Sequence, residues 1–209
     1  MRKIIVYQKR RSGSDRDTFR HKLALQDQPL RLRSVPGLRR MVVSLEAEGG
    51  DETFDAVTEL WFDDALAAVA GMASVSGEQA LAALRSNAER MERVDLVEHK
   101  LFDTGRPAPF KLMAGLKRRA DLGRADFNTW WLDQHAPFVV AFPELRRYQV
   151  NLVEDGPETF VDGIAEVYFA DLASLQRIMS RPDVKDVQHD SQLHTQARYR
   201  LFVEEHGFD

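Results

Sequence analysis

The sequence predicts an α+β protein made of two copies of one β-α-β-β-α-β unit, and the prediction depends on an internal repeat with constant spacing. The segment KIIVYQKRR, which starts at Lys3, returns as KLMAGLKRR at Lys111, a shift of 108 residues. One residue is then lost, and DAVTELWFDD at Asp55 matches DGIAEVYFAD at Asp162 at a shift of 107. Two unrelated domains would not keep this spacing, so the repeat indicates an internal duplication.

The same elements are predicted in the same order in both copies. An apolar run that ends in a basic cluster predicts a first strand, and apolar residues at helical spacing predict a helix after it. Two further strands, a helical stretch in two parts and a last strand complete each copy. The predicted strands lie at 3–9, 38–47, 56–62, 94–102, 111–117, 145–154, 163–169 and 197–204, and the later helical stretches at 64–72, 77–91, 171–179 and 183–195. This order is the split ferredoxin-like motif, with helices on one face of an antiparallel sheet.

The duplication also predicts how the copies are organised. A single unit would leave one sheet face uncovered, and two copies in one chain can cover these faces against each other. We therefore expect ferredoxin-like repeats at 1–102 and 110–209 that form an intrachain dimeric α/β barrel. The segment DTGRPAP at 103–109 contains turn formers and two prolines, so it is predicted to be a linker.

Composition excludes several kinds of partner. The 29 basic and 33 acidic residues give a formal net charge of −4, so no overall field attracts the chain to nucleic acid or anionic lipid. There is no cysteine, which excludes disulfides, thiol nucleophiles and thiolate metal sites. No segment has the length of apolar sequence that a membrane span needs. These features favour a protein of the reducing cytoplasm.

The segment FNTWWLDQHAPF at 127–138 holds the main candidate for chemistry, His135. Trp131, His135 and Phe138 fall on one face of a regular helix. Ala136 precedes Pro137 and is biased away from helical geometry, so the helix is predicted to end or kink at the histidine. Burial favours the neutral ring and a helix C-terminus favours the charged ring, so a proton-transfer role near neutral pH is one interpretation. A packed histidine at the junction of helix and sheet is the other.

The first copy helps to choose between these interpretations. Its matching segment, FRHKLALQDQPL, keeps the helix pattern and the proline but has Asp27 in place of the histidine, so the fold does not require the ring. The first strand of the second copy also has Ala114 and Gly115 where the first copy has Val6 and Tyr7. These changes remove volume, which predicts a pocket beside His135 unless neighbouring aromatic side chains fill it.

Three further residues are candidates on the strands of the second copy. Tyr148 and Tyr168 are expected either to pack in the core or to hydrogen-bond a substrate oxygen. Glu166 lies on the same face of its strand as Tyr168 and has a counterpart in Glu59. A residue present in both copies favours a structural role, so Glu166 is expected to pair with an arginine.

The segments FNTWWLDQHAPF and FPELRRYQVN, followed by AEVYFAD, resemble the EthD family of the dimeric α/β-barrel superfamily. The second copy carries the whole pattern, whereas the first departs from it at Asp27 and Met41. The resemblance implies a site for a small apolar ligand with an acid/base residue. It does not identify the substrate, because family members are associated with ether-degrading monooxygenase systems, muconolactone isomerisation and tailoring of aromatic polyketides.

Together these observations predict a cofactor-free enzyme that acts on a small apolar cyclic or aromatic substrate. The first copy is expected to be scaffold, and His135 of the second copy to shuttle a proton in isomerisation, dehydration or decarboxylation. Trp131, Phe138 and Gly115 would shape the pocket. The alternatives are a non-catalytic ligand-binding or accessory protein of a monooxygenase system and, by analogy with the superfamily, a haem-binding barrel. His189 and His194 lack a recognised metal-binding spacing, so no metal is expected, and a homodimer remains open.

Overall fold

The computed structural model describes residues 1–24, 27–47 and 53–208. The chain divides into two compact units, which we call the first unit (Met1–Asp95 with Glu204–Asp209) and the second unit (Leu96–Val203). These units differ from the sequence copies, because the last strand of each copy is long and continues past the unit boundary. Across the described part of the chain, no helix is both long and apolar enough to cross a bilayer.

Each copy contains the predicted order of strands and helices. The first has β1 (Arg2–Arg10), α1 (Arg16–Ala24), α2 (Asp27–Arg33), β2 (Leu38–Glu46), β3 (Ala56–Phe62), α3 (Ala65–Ala73), α4 (Val75–Ser86) and β4 (Ala88–Asp103). The second has β5 (Phe110–Arg118), α5 (Arg124–Thr129), a π-helical segment (Trp130–His135), α6 (Ala136–Val140), β6 (Arg147–Leu152), β7 (Gly163–Phe169), α7 (Leu172–Met179), α8 (Pro182–His194) and β8 (Thr195–Phe208). In the first unit β3 pairs antiparallel with β1 and with β2. In the second unit the strand order is β8-β5-β7-β6-β4.

One predicted helix ends at the wrong residue. The helix predicted at 77–91 stops earlier, because Asn87 ends α4 and strand β4 begins at Ala88. The predicted linker at 103–109 corresponds to the connection between β4 and β5, except that Asp103 still pairs with Arg147 in the sheet. The amide of Thr104 donates to the carbonyl oxygen of Arg146 at 2.8 Å. Strand β4 thus ends at Asp103, one residue later than the predicted end at 102, and the turn-forming residues follow it.

The sheet of the second unit has two different faces. Alternate residues of β5 and β7, including Leu112 and Val167, belong to an apolar core together with residues of the helices. The residues between them point to the opposite face and include the fully buried Lys111 and Glu166. Since side chains alternate along a strand, this difference divides the candidate residues into two groups.

The helix that carries the histidine is not regular. From Trp130 to His135 it is a π-helix, and the amide of Ala136 donates to the carbonyl oxygen of Trp131, five residues earlier. Pro137 has no N–H to offer the carbonyl of Asp133, which favours a break in the regular bonding at this point. The wider turn takes up one extra residue, so the side chains after it are displaced by about 100° around the axis.

This displacement changes which residue completes the buried face. Val139 is buried, whereas Phe138 is 57% exposed. A regular helix would have put Phe138 on the face of Trp131 and His135, as the sequence predicts. The structure therefore corrects the position of Phe138 and assigns its place on that face to Val139.

Gly163 allows Trp131 to lie close to the sheet. A Cβ atom at Gly163 would be only 2.6 Å from Cζ3 of Trp131 and 2.9 Å from Cδ2 of Leu152. The position needs glycine because of close approach, since no unusual backbone angle is involved. The indole of Trp131 can therefore form one wall of the candidate site only because position 163 of β7 has no side chain.

Candidate active site

His135 lies at the end of the π-helical segment, and its surroundings are aromatic. It is 6% exposed. The centre of its ring is 4.9 Å from that of Trp130 and 6.4 Å from that of Trp131, which meets it edge to face. A π-helical segment is rare and is often found at functional sites, because it moves side chains out of their regular positions.

Asp190 of α8 holds the histidine ring. Its Oδ2 atom lies 2.7 Å from Nδ1 of His135, and its Oδ1 atom accepts a hydrogen bond of 3.4 Å from the indole N–H of Trp130. Trp130 in turn stacks on His194 with ring centres 4.2 Å apart. The carboxylate therefore fixes both the orientation of His135 and the tautomer in which Nδ1 carries the proton.

This arrangement makes His135 suited to accept a proton. Burial lowers the pKa of His135, against the opposing effect of the hydrogen bond and charge of Asp190. The ring is therefore neutral at neutral pH, with its Nδ1–H donated to Asp190. The lone pair of Nε2 is the basic site, and within the described part of the chain this nitrogen has no hydrogen-bond partner.

A cavity of about 110 Å³ adjoins His135. Apolar side chains from β5, β7, α6, α7 and α8 form most of its wall. They include Leu112, Leu116, Val139, Val167, Phe169 and Ile178. An apolar cavity of about 150 Å³ can hold benzene, so this volume is on the scale of a single small ring. The polar lining residues are few and include His135, Tyr148, Gln188, Ser191, Arg198 and Arg200.

Tyr148 provides a second polar group in this cavity. Its side chain is completely buried, and its hydroxyl accepts a hydrogen bond of 3.2 Å from the indole N–H of Trp131. Burial raises the pKa of Tyr148, so the phenol stays protonated over the physiological range. Its own O–H is thus a donor suited to a carbonyl or enolate oxygen.

Only part of the predicted set comes together. His135, Trp131 and Tyr148 line one cavity. Tyr168 and Glu166 lie on the opposite face of the sheet, as does Gly115, where a Cβ would contact Val161. Phe138 lies outside the cavity, for the reason given above. The space beside His135 therefore comes from the helix and from small residues such as Ala114 and Ala165, which line the cavity.

On the opposite face, Glu166 belongs to a buried polar network. Its carboxylate accepts from Nζ of Lys111 at 3.1 Å, from the amide of Asn151 at 2.7 Å and from the hydroxyl of Tyr168 at 2.6 Å. The expected arginine partner is thus replaced by a lysine of β5. The first unit has the same pair, with Nζ of Lys3 2.7 Å from Glu59. A pair present in both copies points to a role in the fold.

Sequence reasoning missed Asp190 and Arg198. Asp190 lies between two histidines in HDSQLH, and their spacing points to no known motif. Its partner His135 is 55 residues away, so no local pattern connects them. A signal was nevertheless present in the repeat. At the shift of 107 the counterparts of Asp190 and Arg198 are Ala83 and Met91, which carry no charge.

The element order and the one-sided helices define a ferredoxin-like α+β protein. A family model described as EthD domain matches residues 119–193, which include His135, Tyr148 and Asp190. The resemblance of the second copy to that family is therefore confirmed over these residues. No curated protein sequence matches the chain.

Solved structures share the fold over nearly the whole chain. An anthrone oxidase-like protein is 10% identical with a TM-score of 0.73, covering 99% of this chain and 92% of its own. A putative monooxygenase from Lactobacillus acidophilus is 11% identical with a TM-score of 0.58, covering 98% and 93%. A putative chlorite dismutase is 9% identical with a TM-score of 0.58, covering 98% and 94%. At these identities the likeness establishes the fold alone.

Proposed function

We propose that the protein is a cofactor-free enzyme that moves a proton on a small, mostly apolar cyclic substrate, with His135 as the base. The observation that carries the proposal is the contact of 2.7 Å between Nδ1 of His135 and Asp190 beside an apolar cavity. It leaves Nε2 as a base in a site where few other polar groups compete for the substrate. General bases of this kind contribute about 10²- to 10⁴-fold to a rate.

The chemistry would use the two polar groups in turn. Nε2 of His135 takes a proton from a carbon next to a carbonyl group, and the electron pair left on that carbon moves to the carbonyl oxygen to form an enolate. The O–H of Tyr148 donates a hydrogen bond to this oxygen as its negative charge develops. The imidazolium, stabilised by Asp190, then returns the proton to another carbon. Proton and charge are balanced at the end of an isomerisation of this type.

The test uses α-angelica lactone, a single-ring lactone with an acidic carbon, because the natural substrate is not identified. In D₂O the protein is expected to accelerate deuterium exchange and isomerisation, followed by proton NMR. His135→Gln is expected to lower the rate by about 10²- to 10⁴-fold. His189→Gln is a matched control, because it makes the same change at an exposed position of α8.

Two results would contradict the proposal. One is equal exchange by the wild type and by His135→Gln, which would show that the histidine is not the base. The other is no exchange above the buffer rate with this lactone or with related single-ring ketones. Binding without exchange would favour the second candidate function, a ligand-binding or accessory protein, which the apolar lining of the cavity also supports.

Other expectations from the sequence extend this proposal. The name of the anthrone oxidase-like neighbour supports an aromatic substrate of a catabolic or polyketide pathway. Haem ligation by His135 is a third candidate, and a Soret band in protein purified with haem supplied would reveal it. The lack of cysteine supports a cytoplasmic setting, and an intrachain barrel and a homodimer stay predictions.

A further inference from the structure

We propose that Arg198 binds the anionic end of the substrate, so that the substrate is a small apolar ring bearing a carboxylate or a similar oxyanion. Arg198 lies on β8 and lines the cavity together with His135. The inference rests on the proposed function in that it assigns the same cavity as the substrate site. It adds the chemical class of the substrate and the residue that selects it.

Arg198 is exposed to solvent, and its side chain makes hydrogen bonds to neutral groups. Its Nη1 atom donates to the carbonyl oxygen of Gln188 and to Oγ of Ser191, each at 3.4 Å. Both acceptors are neutral, and both residues also line the cavity. Within the described ranges, Arg198 makes no ion pair with a carboxylate. These two long hydrogen bonds use one nitrogen, and the other donors of the guanidinium group remain for a ligand.

Three other arginines of the second unit differ from Arg198 in their partners. Arg118, Arg119 and Arg177 each pair with a carboxylate, at 3.2 Å, 2.6 Å and 2.6 Å. Arg198 is instead partly desolvated, and burial together with the charge of Arg200 lowers its pKa. An anion placed beside it would compensate this charge and could take up two parallel hydrogen bonds.

The first copy shows that the frame does not need a cation at this position. The counterpart of Arg198 at the shift of 107 is Met91, which packs against the apolar core of the first unit. Arginine in place of this methionine adds a second positive group to a mostly apolar cavity that Arg200 also lines. A ring with a single carboxylate matches both the apolar lining and the positive charge.

The experiment compares benzoate with benzamide, which have nearly the same shape and differ in charge. Titrations followed by tryptophan fluorescence are suitable, because Trp131 lines the cavity. The wild type is expected to bind benzoate about 2- to 5-fold more tightly than benzamide, since an accessible charge pair is worth only this much. Arg198→Met, which introduces the residue of the first copy, should remove most of the preference and leave benzamide binding unchanged. Arg198→Lys should keep part of it.

A control and a salt series make the result specific. Arg181→Met removes a positive charge from an exposed pair with Asp183 and should leave the preference unchanged. Added salt should weaken the binding of benzoate and not that of benzamide. The inference is overturned if the wild type binds both probes equally or fails to bind benzoate. It is also overturned if Arg198→Met keeps the preference.

The result of the benzoate test is independent of the result of the deuterium exchange test. The exchange test uses a neutral lactone and His135, whereas this test measures binding of an anion and changes Arg198. If exchange depends on His135 but the wild type shows no preference for benzoate, the proposed anion site is excluded and the proposed enzymatic function stands. If the preference for benzoate depends on Arg198 but no exchange is observed, the enzymatic function is excluded and the protein is one that binds anions.

Discussion

The two copies use the same order of elements but place different residues at the positions around the cavity. Asp27, Ala83 and Met91 of the first copy correspond to His135, Asp190 and Arg198 of the second. At the matching wall positions, Leu23 and Met41 of the first copy correspond to Trp131 and Tyr148. In the first copy Leu23 and Met41 belong to a buried apolar core. His135, Asp190 and Arg198 thus have no counterpart of the same residue type in the first copy.

Other polar residues are the same in both copies and have the same contacts. Asp55 accepts from the backbone amide of Arg10 at 3.0 Å, and Asp162 accepts from that of Arg118 at 3.2 Å. The buried lysine and glutamate pairs described above are also repeated. The comparison teaches that residues shared by the copies serve the fold, and that polar residues of one copy indicate the site. The predictions below test this rule.

The largest effect is expected from the shared buried lysines. Lys111→Met removes the ammonium group that lies 3.1 Å from the carboxylate of Glu166, and both side chains are fully buried. Breaking a buried pair in this way costs about 3–5 kcal/mol of the free energy of unfolding. Lys3→Met in the first copy should cost a similar amount, because Lys3 and Glu59 are equally buried. Urea unfolding of the full chain measures both.

A large loss of unfolding free energy in one lysine variant and none in the other would contradict the rule that shared residues serve the fold. It would assign the sensitive lysine a role particular to its own copy. Deuterium exchange by the folded fraction of Lys111→Met provides the second measurement. We expect an unchanged rate per folded molecule, because Lys111 lies on the face of the sheet opposite the cavity.

Asp190→Ala, which introduces the residue of the first copy, is expected to slow exchange by about 10- to 100-fold. A hydrogen bond to a charged group is worth about 1.5–3 kcal/mol, and that amount converts to this range of rates. His135 acts as a base only when it is neutral, so the rate falls as pH drops through its pKa. Burial holds this pKa below the ordinary value, and Asp190 raises it. Removing Asp190 should therefore move the acid limb of the pH profile to lower pH.

The matched control is Asp186→Ala, which removes the same charge from an exposed position one turn earlier in α8. It should change neither the rate nor the acid limb. An unchanged acid limb in Asp190→Ala, or a shift to higher pH, would show that Asp190 does not act on the imidazole. A rate loss without that shift would then reflect packing around Trp130.

Gly163→Ala is expected to cost about 1–3 kcal/mol of stability, because the added Cβ would overlap Trp131 and overpack the core. The first copy has alanine at the matching position, Ala56, and has Leu23 where the second has the indole. The double variant Gly163→Ala with Trp131→Leu should therefore lose less than the sum of the two single variants. Strict additivity in urea unfolding would mean that the two residues do not constrain each other.

Much of the fold could be predicted because its signals are local and occur twice. The segments AVTELWF and GIAEVYF alternate, and β3 and β7 have the predicted bounds. The helix of His135 departs from prediction, because its apolar periodicity is that of a regular α-helix whereas residues 130–135 are π-helical. The π-helical segment depends on where Pro137 removes a donor and on how Trp131 packs against Gly163. This packing joins residues that are 32 positions apart, which no window of sequence contains.

The sequence by itself determined the order of strands and helices in both copies, and it distinguished His135, which the matching segment of the first copy lacks. It could do so because period, turn chemistry and the comparison of two copies need no knowledge of contacts. Only the tertiary structure decided that Asp190 holds the histidine, that Tyr148 shares its cavity, and that Glu166, Tyr168 and Phe138 do not. These outcomes depend on which face each strand and helix presents. One extra residue in a turn is enough to change that face.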